Sequence, residues 1–259
     1  MINHQKRQLL FISSIILGVL ALSACMPATH EISSEQLETE QPAIDEADVA
    51  SDFSVDTLEE ISTDKEDALP SESNSINTSG LSDAEINSLV FIREEEILAR
   101  DVYLSLYDLW GLQIFQNIAD SEQTHTDAVA SLLEKYDIPD PADTSPAGVF
   151  VNPDLQSLYD ELTEMGAQSL GNALKVGAAI EEIDILDLQE YMEIIEERAI
   201  RQAYENLLKG SENHLRAFTS TLEKQIGEIY QPQYMTEDAY NEIISGAVGS
   251  RGQGNGRQP

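Results

Sequence analysis

The chain has 259 residues, with 14 Lys and Arg against 48 Asp and Glu and a formal charge of −34. Such acidity repels nucleic acid and anionic membrane surfaces, so polyanion binding is disfavoured and cations become the natural small partners. A single cysteine excludes an internal disulfide.

Residues 1–25 read as an export signal. Lys6 and Arg7 precede an apolar run from Leu9 to Leu22, which ends in Ser23-Ala24-Cys25. The run is short for a spanning helix, which needs about 20 apolar residues. This end resembles the lipobox of bacterial lipoproteins. The resemblance implies cleavage before Cys25, lipidation of that cysteine, and an extracytoplasmic protein anchored to a bacterial cell membrane. Met26 stands where an aspartate is associated with inner-membrane retention, which points to the outer membrane, or its periplasmic face, in a Gram-negative organism.

Residues 26–80 carry fifteen acids, from Glu31 to Glu72, against the one base Lys65. Few large apolar groups accompany them, so buried surface cannot offset chain entropy, and a disordered, self-repelling tether is expected. The folded domain is expected over residues 81–245, with a flexible Gly- and Gln-rich tail over residues 246–259.

Within the domain, Ser82 and Glu85 form a capping box that predicts a helix running to about Trp110, where Gly111 ends it. A second helix is predicted from about Ile114 to Tyr136, antiparallel to the first because the turn is short. Pro139, Pro141, Pro146, Gly148 and Pro153 keep the next stretch non-helical. A short helix from Asp154 to Met165 and a longer one from Gln168 to about Leu186 follow. Leu188 to Glu196 reads as a connecting turn or short helix, and a last long helix runs from about Ala199 to Gly227. Sheet signals are absent. The expected fold is all-α, a four-helix bundle with additional short helices.

Four polar features interrupt the apolar stripes. Glu122 and His125 lie one turn apart on the second helix, close enough to reach one interior point together. His214 shares the stripe of Leu207, Phe218 and Leu222 on the last helix, and Glu181 extends that of Leu170, Leu174 and Ala178, with Asp184 one turn beyond. On the first helix, Val90, Arg93, Glu96, Ile97, Arg100 and Tyr103 share a side, so Glu96 points at least partly inward while Glu94 and Glu95 face elsewhere. A lone histidine on such a stripe is commonly a satisfied core residue, and inward acids can be neutralised by Arg93, Arg100 or Arg216. The alternative is a shared cation, since several uncompensated buried carboxylates cost several kcal/mol each. Mixed carboxylate and imidazole ligands suit iron, manganese or zinc.

The stretches Arg93-Glu94-Glu95-Glu96, Glu96 through Ser105, Ser121-Glu122-Gln123-Thr124-His125 and Gly210 through Phe218 resemble the ferritin-like proteins. The nearest likeness is to an uncharacterised branch near the rubrerythrins, a domain of unknown function. The resemblance implies an antiparallel four-helix bundle with a di-iron or di-manganese centre, zinc being a further candidate. Its ligands would be Glu96, Glu122, His125, Glu181, Asp184 and His214, with Tyr103 beside it in a catalytic role. Oxidase or peroxidase-type redox activity is one implication; a non-enzymatic metal-binding domain or a metal-free interaction domain is the other. The sequence departs from the pattern at Ser211, where a Glu is expected three residues before His214, which leaves the second metal one carboxylate short; Asp184 or Glu212 would be its substitute. The expected partners are metal ions and, through Cys25, a membrane, with no nucleic acid; a homodimer is compatible with these residues.

Overall fold

The computed structural model describes residues 80–143 and 145–246. The export segment with Cys25, the acidic linker through residue 79 and the tail beyond residue 246 lie outside the described residues. Among the described residues there are six helices and no strand. They are α1 (Asp83–Trp110), α2 (Gln113–Lys135), α3 (Pro153–Gly166), α4 (Leu170–Met192), α5 (Arg198–Ile226) and α6 (Glu237–Ile244). No described helix is long and apolar enough to cross a membrane.

Local chemistry sets the helix ends. The Ser82 hydroxyl accepts from the Glu85 N–H, and Glu85 Oε2 accepts in return from the Ser82 N–H at 2.9 Å, the reciprocal pairing that the sequence predicts. Gly111 closes α1 in the left-handed region (φ 62°), and α2 starts two residues later. Asn152 caps α3 with Pro153 in its first turn, and Ser169 caps α4. Gly227 (φ 77°) ends α5.

Two boundaries differ from the sequence expectation. The helix expected to stop near Leu186 continues to Met192, because residues 186–192 contain no Gly or Pro and Leu188 is wholly buried. Helix α6, capped by Thr236, follows a segment whose sequence gave no helical expectation.

The four long helices share one layered plan. At one end, Leu89 and Ile92 of α1, Val129 and Leu133 of α2, Leu188 of α4 and Tyr204 and Leu207 of α5 form an apolar cluster. At the other end, Tyr103 and Phe218 rings lie 5.1 Å apart and Phe115 packs 5.8 Å from Phe218. Chain direction follows from these layers: α1 and α5 run one way, α2 and α4 the other. Because α2 and α4 are parallel, residues 136–169 must cross the length of the bundle, and α3 lies within that crossover.

Charged side chains from α1 hold the crossover in place. Arg93 pairs with Asp140 at 3.0 Å, Glu94 Oε1 accepts from the Val151 N–H, and Asp101 accepts from the Gly148 N–H at 2.7 Å. Glu182 on α4 does the same for the segment leading to α6, accepting from the backbone N–H groups of Gln233, Tyr234 and Met235. Hydrogen bonds to a charged acceptor contribute about 1.5–3 kcal/mol each, so these carboxylates fasten irregular chain to the rods. Between the two apolar ends, each long helix places polar residues at the same level.

Candidate metal centre

Three consecutive glutamates on α1 show how that level is built. Successive helical residues point about 100° apart, so the three carboxylates leave the rod in different directions. Glu94 reaches the crossover, Glu95 approaches Asp187 of α4, and Glu96 meets His125 of α2. All three are buried. Glu94 thus faces away from Glu96, as expected, whereas Glu95 lines the same cavity as Glu96; both are buried because a rod packed on three sides buries an arc wider than its apolar stripe.

Glu122 stands at the centre. Its Oε2 lies 2.7 Å from His125 Nδ1 and its Oε1 lies 2.8 Å from His214 Nδ1. The two imidazoles stack with centroids 5.5 Å apart. Glu96 Oε2 completes one side at 3.2 Å from His125 Nδ1, and Glu181 Oε2 the other at 3.5 Å from His214 Nδ1. Glu96, Glu122 and His125 thus form one group of three, and Glu122, Glu181 and His214 a second, each with its ligand atoms within 4.8 Å of one another. A carboxylate common to both groups is the geometry of a bridging ligand. Asp184 joins Glu95, Glu96, Glu122 and Glu181 around a cavity of about 10 Å³, which is roughly room for one small body.

Four buried atoms here have no hydrogen-bond partner: Glu95 Oε2, Glu96 Oε1, Asp184 Oδ1 and His214 Nδ1. The last lies close to Glu122 yet off the direction in which a ring N–H would donate. Its approach suits two ligands facing a common point better than a donor facing its acceptor.

The electrostatics follow from crowding. Burial, opposed by His125, pushes the Glu96 carboxyl up to about 7. Burial and neighbouring acids raise Glu95 and Asp184 well above the usual carboxylate range, and raise Glu181 as well. Burial would also raise Glu122, but the charges of His214 and His125 reverse it and hold that carboxyl far below its ordinary value. Burial disfavours the His214 cation, yet Glu122 and Glu181 outweigh it and push the imidazole up to about 10. His125 rises for the same reason, through Glu122 and Glu96. Burial thus favours the protonated form of Glu95, Glu96, Glu181 and Asp184, while Glu122 stays charged between the two imidazoles.

The arginines do not relieve it. Arg93 is committed to Asp140 and the Thr126 carbonyl, Arg100 to Asp101 and Gln123, and Arg216 to Asn213 and the Ile243 carbonyl. Arg100, one turn beyond Glu96 on the same helix, turns instead to Asp101 at 2.7 Å. Other buried acids of the fold, Glu85, Glu94, Asp101 and Glu182, each accept from backbone N–H groups. Among the described residues, no backbone N–H reaches Glu95, Glu96, Glu122, Glu181 or Asp184, because mid-helix N–H groups are used within their own rods.

The remaining expected residues have plain positions. Tyr103 is fully buried and donates to Glu181 Oε1 at 2.6 Å. Burial and the adjacent Glu181 charge raise its phenol well above the usual range, so it stays protonated. Ser211, standing where a Glu was expected, bonds Asp184 Oδ2, so the two together occupy that corner. Glu212 pairs outward with Arg216 at 4.0 Å and does not substitute. Sequence reasoning missed Glu95, Asp187 and Ser121; the Ser121 hydroxyl lies 2.9 Å from His214 Nε2. Ser121 precedes Glu122 directly, and that adjacency was the available signal.

Residues 85–247 match a family described as an uncharacterised protein domain, DUF2202. The chain is 52% identical over 168 residues to the uncharacterised protein MJ0754 of Methanocaldococcus jannaschii, an overlap of 65% of this chain and 90% of that protein. The crystal structure of the hypothetical protein MJ0754 from Methanococcus jannaschii superposes with a TM-score of 0.63 at 49% identity, covering 71% of this chain and 100% of that one. The chain therefore belongs to the DUF2202 family of uncharacterised domains.

Proposed function

We propose that the domain is a ferritin-like metal-binding protein that holds a pair of iron or manganese ions between Glu96, Glu122, His125, Glu181, Asp184 and His214. One observation carries the reading: two three-ligand groups share Glu122 in a layer where buried oxygens and a ring nitrogen have neither hydrogen bond nor arginine. A pair of multivalent cations would satisfy Glu96, Asp184 and His214 together, and the mixed oxygen and nitrogen donors suit iron, manganese or zinc. Four long helices with one long crossover, which here contains α3, are the arrangement of ferritin-like carboxylate proteins, which supports the same assignment.

Iron or manganese would supply one-electron redox chemistry. The protein's part is to supply few enough ligands that coordination positions stay open, to keep bulk water out, and to hold Glu181 through Tyr103. On this basis we propose oxidase or peroxidase-type activity, delivered outside the cytoplasm by a chain tethered through lipid at Cys25. A second reading, passive binding of a divalent ion, is favoured by Ser211, which removes one carboxylate that a redox pair would use. Purification with Fe(II) or Mn(II) in excess, followed by elemental analysis, tests the metal reading: about two ions per chain support it, and a metal-free protein refutes it. Adding oxygen to the Fe(II) form in a stopped-flow spectrometer separates the readings. An absorbance change supports turnover, and silence supports passive binding.

A further inference from the structure

The two halves of the centre are supported unequally from outside. His214 is 2% exposed, and its Nε2 faces the Ser121 hydroxyl at 2.9 Å, which leaves Nδ1 turned toward Glu122 and Glu181. Glu181 has Oε1 held by the Tyr103 hydroxyl at 2.6 Å, with Oε2 turned toward His214. His214 and Glu181, the two ligands that belong to this half alone, therefore each have one atom fixed by a neutral donor or acceptor and the other presented inward, while Glu122 is shared with the other half. On the opposite side, Glu96 Oε1 has no partner, and among the described residues no hydrogen bond engages His125 Nε2. That nitrogen instead rests against bare helix at Gly210, where a Cβ would stand only 2.5 Å from it.

We propose that Ser121 and Tyr103 are positioning residues that make the two metal positions unequal, so that the Glu122, Glu181 and His214 position fills first and the Glu96, Glu122 and His125 position second. The inference rests on the metal-binding reading and adds an order to it. A ligand already locked in its binding rotamer loses little conformational freedom when the ion arrives, whereas a loosely held carboxylate must be ordered then. A ring N–H satisfied on the far side also fixes the imidazole tautomer that offers Nδ1 to a metal, and loss of such a partner weakens metal binding by about 10–100-fold. Asp184 belongs to neither group of three, and its Oδ2 is held by the Ser211 hydroxyl.

The test is a Mn(II) titration of the metal-free protein followed by electron paramagnetic resonance. The wild type should show two steps: an isolated Mn(II) signal up to one equivalent, then a coupled pair signal up to two. Ser121→Ala should weaken the first step by about 10–100-fold, and Ser121→Thr should restore it. Tyr103→Phe should weaken the same step, while Glu96→Gln should remove the second step and leave the first intact. Ser121 is only partly buried and mid-helix, where Ala is well tolerated, so the variant retains the fold. The order is overturned by a first step unaffected by Ser121→Ala, or by one abolished by Glu96→Gln. No Mn(II) uptake by the wild type overturns the metal reading beneath it, a distinct result.

Discussion

Glu122→Gln is the most informative single change, because one carboxylate serves both halves of the centre. Gln preserves volume and one carbonyl oxygen but cannot bridge two cations or face two imidazoles with charge. With free metal at a hundred times its dissociation constant, one bound ion stabilises the fold by about 2.7 kcal/mol, and two independent ions by about 5 kcal/mol. A domain of this size shifts its melting temperature by about 2–4 °C per kcal/mol, so the wild type should melt about 10–20 °C higher with Mn(II) than with a chelator. The variant also begins from a lower metal-free baseline, since removing one member of a buried charge pair costs about 3–5 kcal/mol, with Glu96 and Glu181 remaining to moderate it. Differential scanning fluorimetry of both proteins, each with Mn(II) and with chelator, cancels that baseline. Glu122→Gln should lose nearly all the metal-induced rise. If it kept more than half, Glu122 would not be a shared ligand and the bridging geometry would be refuted.

Other outcomes follow from the same geometry. Gly210→Ala drives a Cβ against His125 while improving helix propensity by about 1 kcal/mol; the chelated protein should keep its melting temperature, and calorimetric titration should show one metal position instead of two. Glu182→Ala is the control on an acid that fastens chain: at about 1.5 kcal/mol for each of its three N–H bonds it should destabilise by about 4–5 kcal/mol and speed hydrogen exchange at Gln233 to Met235, with metal stoichiometry unchanged. pH separates the metal-free and loaded states. Glu96 has its folded value raised to about 7 from 4.5, so its contribution is complete below 4.5 and is lost as pH rises through about 7. His214, raised to about 10 from 6.5, contributes fully below 6.5 and loses that contribution as pH rises through about 10. Metal-free melting temperatures should therefore fall between about pH 6 and about pH 9, while the metal-induced rise grows, because binding displaces these protons. A rise that shrinks with pH contradicts proton displacement.

Much of the bundle was legible because its signals are local. Ser82 with Glu85 starts α1, Gly111 ends it, and apolar spacing places His125 and His214 on inward stripes. The Glu-x-x-His spacing put Glu122 and His125 on one helical face, where the structure has them 2.7 Å apart. What escaped depends on which helix lies beside which. The direction of Glu95 requires knowing that α4 brings Asp187 next to α1, and a stripe drawn from apolar residues alone cannot show that arc. That Arg93 is unavailable to the inward acids was hidden for a related reason: Asp140 is 47 residues from Arg93 and belongs to a crossover whose path is tertiary. Near Leu186 no residue type stops a helix, and α4 continues to Met192. Ser211 illustrates the opposite limit. Its identity was visible, but its bond to Asp184 exists only once α4 and α5 are packed together.

The most direct test is anomalous diffraction from crystals soaked in Mn(II) or Fe(II). The account predicts two peaks, one on each side of the Glu122 carboxylate, one within reach of His214 Nδ1 and Glu181 and the other within reach of His125 Nδ1 and Glu96. Crystals that show no anomalous density in this layer, with those side chains unmoved, would contradict it.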